Sequence, residues 1–120
     1  MRIWVVLAGA AVACGLVAAA VQGGPEGGSV ERRGILIRPY GAFAESVKFK
    51  GGATALVVVT GRLQTDADLY VYDDSGNVVA WDDRPSGACA VEWLPERTAG
   101  FTLEIRNSGP TLDEVEFDAR

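Results

Sequence analysis

Asp66, Asp68, Asp73, Asp74, Asp82 and Asp83 all fall between residues 66 and 83, wrapped around a run of strand-forming residues. Carboxylates so concentrated could ligate a metal, form an acid–base pair, or do no more than rim a β-sheet. The sequence between them decides how they would meet. Residues 68–72 alternate, Asp74-Ser75-Gly76-Asn77 is a turn, and residues 78–81 form a return strand. Asp66 and Asp68 then share a strand face, about 7 Å apart. Asp82 and Asp83 come back to the same end, whereas Asp73 and Asp74 sit at the hairpin tip as turn formers. Four carboxylates without a counter-charge repel one another. A Ca²⁺ ion relieves that repulsion, because it takes several oxygen ligands at about 2.3–2.6 Å in irregular geometry. Asp66, Asp68, Asp82 and Asp83 are therefore the candidate calcium ligands. The spacing is not that of an EF-hand, which needs a third ligand and a Gly after Asp-x-Asp. The alternative is that these aspartates bond turn N–H groups, as Asp commonly does.

Tyr70 and Tyr72 lie on the strand face opposite Leu69 and Val71, so they are expected outside, where a pair of rings could stack on a sugar or a partner's side chains. Catalysis finds little support. The chain has no His, and none of Ser46, Ser75, Ser86 or Ser108 stands in a nucleophile elbow. A carboxylate-based hydrolase remains only a remote alternative, since the aspartates fall on turns and strand ends. A formal charge of −5 argues against nucleic acid, which needs a basic face.

The N-terminal segment predicts that these residues belong to an exported domain. Met1-Arg2 is followed by a charge-free stretch from Ile3 to Val21 containing Ala18-Ala19-Ala20, the pattern of a cleaved signal peptide over residues 1–20. An uncleaved membrane anchor, or a lipoprotein box ending at Cys14, are the other readings of the same segment. Cleavage leaves ten Lys and Arg against sixteen Asp and Glu, a charge of −6, and one cysteine, Cys89. Cys89 is in phase with Val91 and Trp93, which predicts a buried thiol and a monomer. Residues 21–34 are Gly-rich and aperiodic, as in a flexible linker. The domain is expected over 35–120.

Strand signals follow one another from there: 35–37, 46–50, 55–60, 68–72, 78–81, 89–94, 101–106 and 115–117. Seven to eight short strands with turns between them predict an all-β antiparallel sandwich. Its expected core is Val47, Phe49, Leu56, Val58, Leu69, Val71, Val91, Trp93, Phe101, Leu103, Ile105 and Phe117. The continuously apolar 55–60 suggests a central strand covered on both faces.

Gly52-Ala-Thr-Ala-Leu-Val-Val-Val, Asp66-Ala-Asp68-Leu-Tyr-Val-Tyr-Asp73 with Ser75-Gly76-Asn77, Asp82-Asp83, and Ala99-Gly-Phe-Thr-Leu-Glu-Ile-Arg together resemble the bacterial pre-peptidase C-terminal domain. The likeness spans about residues 44–118. It implies a jelly-roll-like sandwich that is exported and non-catalytic, associated with secretion, stability or polymer binding, with calcium bound in some relatives. The expectation is therefore a secreted, periplasmic or envelope accessory domain that engages a polymer, an envelope component or another exported protein. A purely structural domain, calcium-stabilised or not, is the alternative.

Overall fold

The computed structural model describes the backbone of Val5–Leu7 and, in full, residues 23–63 and 66–120. Nine strands are described: β1 Val5–Leu7, β2 Val30–Ile37, β3 Ala42–Phe49, β4 Ala55–Gly61, β5 Ala67–Tyr72, β6 Val78–Asp82, β7 Ala88–Leu94, β8 Ala99–Asn107 and β9 Asp113–Ala119. Apart from Val5–Leu7, the expected export segment and Cys14 lie outside the described residues.

The pairing follows one rule. β5 pairs with β6, β4 with β7, β3 with β8 and β2 with β9, all antiparallel. The chain is thus one long ribbon folded at the turn between β5 and β6 and then rolled up. Rolling sends alternate ribbon pairs to opposite layers, giving the orders β7-β4-β9-β2 and β3-β8-β5-β6, with β1 added in parallel outside β7. Further antiparallel ladders, β4 with β9 and β5 with β8, knit each layer together. This is the jelly-roll sandwich that the spacing of strand signals and the family resemblance had suggested.

Alternation decides what enters the core. Val47 and Phe49 from β3, Leu69 and Val71 from β5, Val91 and Trp93 from β7, and Phe101, Leu103 and Ile105 from β8 are all buried between the layers, as expected. Phe49, Trp93 and Phe101 meet ring to ring at 4.8, 5.9 and 5.4 Å between centroids, contacts worth about 0.5–1.5 kcal/mol each beyond their buried area.

Two expectations are corrected. In β4 the core residues are Ala55, Val57 and Val59, not Leu56 and Val58. Both phases of this strand are apolar, so alternation could not choose between them. The β7 register does, by setting Val57 against Val91 and Val59 against Cys89. Leu56 and Val58 lie on the outer side, half-buried beside the long side chain of Arg120. The stretch expected as a free linker is also partly folded. The strand expected over 35–37 starts at Val30, and Glu26 and Lys50 bond back to Lys48 and Gly24 at 2.7 and 2.9 Å. Its period was hidden by a bulge between Arg32 and Ile35, where Gly34 takes a φ of 68°.

At the end where β2 runs into β3 and β8 into β9, a single side chain organises the loops. Asn107, 1% exposed, donates its amide N–H groups to the carbonyls of Ile37, Arg38 and Thr111 at 3.0, 3.1 and 2.7 Å and accepts from the Gly109 N–H.

Cys89 is buried, and its thiol donates to the Ala67 carbonyl at 2.8 Å. Burial, reinforced by the carboxylates of Asp82, Asp68 and Asp66, pushes the thiol up to about 12. A thiolate is the reactive form. Native protein should therefore resist a thiol reagent at neutral pH and label only on unfolding. Rapid stoichiometric labelling, followed by mass, would contradict this placement.

Candidate functional site

The hairpin brings the expected aspartates to one end of the sandwich, but the sheet divides them. Asp82 stands opposite Leu69 and points inward, with 0% exposure. Asp68 alternates with Leu69 and points outward alongside Tyr70 and Tyr72. The two carboxylates consequently live in different chemistry.

Asp82 accepts from Arg84 Nε and Nη2, each at 3.0 Å, and from the Ala90 N–H at 3.1 Å. Burial alone would raise its pKa. The Arg84 bonds and the Ala90 and Arg84 backbone N–H groups outweigh it, so the carboxyl lies below the ordinary range. Asp82 thereby clamps β6 of one layer to β7 of the other.

Asp68 has only the Ser108 hydroxyl, at 2.5 Å to Oδ2, while its Oδ1 is buried without a partner. Desolvation pushes its carboxyl up, the Ser108 bond counters part of this, and repulsion from Asp66 and Asp83 adds to it. Asp66 likewise has one buried oxygen unpartnered. Asp73 behaves as the turn former expected of it, accepting from the Ser75 and Asn77 N–H groups at 2.9 Å. Among the described residues, no group of three or more His, Cys, Asp or Glu is arranged to hold a metal ion.

Tyr70 and Tyr72 are on the outer face, half-buried. They are tied into their own sheet. The Arg106 guanidinium lies 4.4 Å from the Tyr70 ring centroid, and the Tyr72 hydroxyl bonds Glu104 at 3.1 Å and Arg106 at 3.2 Å. Arg106 also donates to Glu104 at 2.7 Å. This network occupies one ring face of Tyr70 and the hydroxyl of Tyr72 before any ligand arrives.

A second surface escaped the sequence reasoning. Five large hydrophobic residues are exposed among those described, and four of them, Leu36, Tyr40, Leu63 and Leu112, gather at the Asn107 end. The pairings place them there: Leu36 is one residue from the end of β2, the Leu63 N–H bonds Asp113 at 3.2 Å, and the Tyr40 N–H bonds the Gly109 carbonyl at 3.3 Å. Tyr40 is 73% exposed and holds a φ of 57°. A left-handed non-glycine residue costs about 1–2 kcal/mol, and such strain concentrates at functional sites. Arg38 and Arg62 stand exposed beside this patch. Neither forms an ion pair among the described residues. The available signal was Pro39-Tyr40-Gly41, a turn-forming run just after the strand signal at 35–37.

Two measurements test the aspartates. Asp68→Asn removes an ill-solvated, repelled charge while leaving an oxygen for Ser108. A raised pKa in the folded state means ionisation opposes folding once the pH passes the unfolded value near 3.8. The variant should therefore melt higher than wild type at pH 7, with the gain shrinking as the pH falls through the raised folded value and gone below about 3.8. A lower melting point at pH 7 would show that Asp68 is stabilising as a charge. For calcium, the engagement of Asp82 by Arg84 leaves the four-carboxylate set incomplete. Melting midpoints should agree in millimolar calcium and in chelator; a calcium-dependent rise would assign a cation to the outward carboxylates.

No family model matches the chain, and no curated protein matches it. Among solved structures, it is similar in fold to PliG of Aeromonas hydrophila, described as a periplasmic inhibitor of g-type lysozyme, with a TM-score of 0.56. The match covers 98% of this chain and 96% of that one at 11% identity, a likeness of fold.

Proposed function

We propose that this chain is a non-catalytic, exported binding domain whose partner is another exported protein, and that it docks through the Asn107 end. The observation that carries this reading is the patch of Leu36, Tyr40, Leu63 and Leu112 on loops held in place from beneath. Apolar side chains gathered on a rigid rim cost little entropy to bind with, which is what makes such patches interaction sites. The unpaired Arg38 and Arg62 suit a partner with an apolar depression bordered by carboxylates.

Three further points support the class. The fold likeness is to a protein described as an inhibitor of g-type lysozyme. The resemblance to pre-peptidase C-terminal domains implies an exported accessory role as well. The chain also has no His, and the buried Asp82 is paired with Arg84. An export segment over 1–20 would deliver the domain to the periplasm, the envelope or the medium. An envelope polymer is the second reading, favoured by the outer-face Tyr70 and Tyr72 beside Trp81, which pairs with Tyr70 across the strands.

Tyr40→Gly separates recognition from folding. Gly accepts a φ of 57° without strain, so the variant should melt at or slightly above the wild-type midpoint. With a g-type lysozyme as probe, binding by the wild type should weaken by about tenfold or more in the variant, the loss of an anchoring aromatic. Tyr70→Ser should bind like wild type. Loss in Tyr70→Ser with retention in Tyr40→Gly would move the site to the sheet face. Absence of wild-type binding would exclude this partner.

A further inference from the structure

Apart from β1, the two layers end on β7 and β2 and on β3 and β6. An open sheet edge is a template for another strand unless charges, a bulge or a cover protect it. β2 carries Glu31, Arg32 and Arg33 and a bulge between Arg32 and Ile35. β3 is covered at its end by the segment before β2, where the Glu26 N–H bonds the Lys48 carbonyl and the Lys50 N–H bonds the Gly24 carbonyl. β6 is five residues long and ends on Asp82, which Arg84 clamps. β7 contains neither bulge nor proline, and Glu92 is its one charge.

The outward groups of β7 are met in two ways. Successive residues of a strand turn their N–H and C=O to opposite neighbours. The Ala90 N–H reaches the Asp82 carboxylate at 3.1 Å, so Ala88, Ala90, Glu92 and Leu94 face the edge and their neighbours in β7 face β4. Side chains serve the first two, because Ser86 Oγ accepts from the Ala88 N–H at 3.2 Å as Asp82 does from Ala90. At Glu92 and Leu94 the partner is a strand instead. β1 lies parallel there, with Val5 opposite Glu92, Val6 opposite Trp93 and Leu7 opposite Leu94. In such a ladder the residue opposite Trp93 bonds the Glu92 carbonyl and the Leu94 N–H on either side of it. β1 falls within residues 1–20, the segment read as a cleaved export signal. Cleavage would leave β2 to β9 paired as they are, and the N–H and C=O groups of Glu92 and Leu94 turned to solvent.

We propose that in the processed chain this stretch of β7 is a strand-addition site, taking an extended apolar segment of an exported partner protein parallel to β7. The proposal rests on the export and partner reading above and adds a main-chain contact away from the Asn107 end. The chain's own Val5-Val6-Leu7 sets the direction and the chemistry of the occupant. The residue opposite Trp93 shares its sheet face, and Trp93 is buried in the core, so that position calls for an apolar side chain. Main-chain bonds supply the affinity and alternate side chains the selectivity.

The test is fluorescence anisotropy of a fluorescein-labelled peptide of residues 2–9, extended by lysines for solubility, against the full chain and a chain beginning at Val21, which keeps β2 to β9 whole. The Val21 form should bind saturably in the micromolar range. The full chain should bind about tenfold more weakly or less, since its own β1 competes at high effective concentration. N-methylation at Val6 of the peptide removes the N–H that the Glu92 carbonyl takes, and should weaken binding about tenfold. N-methylation at Val5 or Leu7, whose N–H groups face away from β7, should leave it unchanged. Glu92→Pro in the Val21 form deletes an outward donor without touching the β4 ladder, so it should melt near the parent and bind about tenfold more weakly. No binding to the Val21 form, equal binding to both forms, or indifference to the position of the methyl group would each overturn the proposal. A dimer of the Val21 form that Glu92→Pro dissociates would give the edge to a second copy and overturn it too. If Glu92→Pro fails to fold, the methylated peptides decide the matter. Retention of residues 1–20 in the natively expressed protein, read by intact mass, would overturn the export reading and with it the vacancy, even where the peptide binds the Val21 form.

Discussion

The turn at Asp73–Asn77 is the fold line of the whole molecule. Every antiparallel pair nests around it, from β5 with β6 outward to β2 with β9. A slip of one residue there would invert the faces of the strands it joins. The turn is accordingly held from several sides: the Asp73 N–H bonds the Asn77 carbonyl at 2.8 Å, the Asp73 side chain accepts two N–H groups, and Gly76 takes the left-handed φ of 84° that the geometry demands. Local chemistry thus sets a register that the distant strands inherit. The cost is topological, because β2 and β9 meet only after the rest of the ribbon has closed, and folds rich in such remote contacts form slowly.

That dependence explains what the sequence made legible. Turn chemistry is local, so the hairpin, the strand spacing and the burial of Leu69, Val71, Val91 and Cys89 follow from types and alternation alone. β4 is different: Ala55-Leu-Val-Val-Val is apolar in both phases, and only its neighbours β7 and β9 choose which side is inward. β2 is different for another reason. Glu31, Arg32 and Arg33 look like a polar linker, yet an edge strand can carry them outside, where Arg32 reaches Glu45 of the facing layer at 2.7 Å. Charges of this kind also guard the edge against unwanted pairing.

The carboxylates show the same limit at the level of the site. Proximity in sequence and return to one sheet end were both correct, but proximity does not fix the face. Asp82 ends β6 in phase with Ala80 and turns inward, where Arg84 and the Ala90 N–H neutralise it. Asp68 turns outward one strand away. Two aspartates at adjacent strand ends therefore have acidities displaced in opposite directions. The patch around Tyr40 was illegible for a plainer reason. Its members come from three loops and a strand end, and nothing in their spacing announces that Asn107 and Asp113 will draw those segments together.

The two ends of the sandwich treat their buried polar side chains differently. At one end Asn107 is satisfied in full, and its bonds to Ile37, Arg38 and Thr111 spend rigidity on holding an exposed, strained Tyr40 in place. Without that anchor the loop would relax Tyr40 to negative φ, and the ring would lose its fixed direction. At the other end Trp93 Nε1 is buried without an acceptor, its indole packed against the rings of Phe49 and Phe101. A satisfied polar group stiffens its surroundings, and an unsatisfied one costs free energy. The first arrangement presents a surface outward, and the second stays closed within the core. A core packed tightly between them lets each end hold its arrangement without disturbing the other.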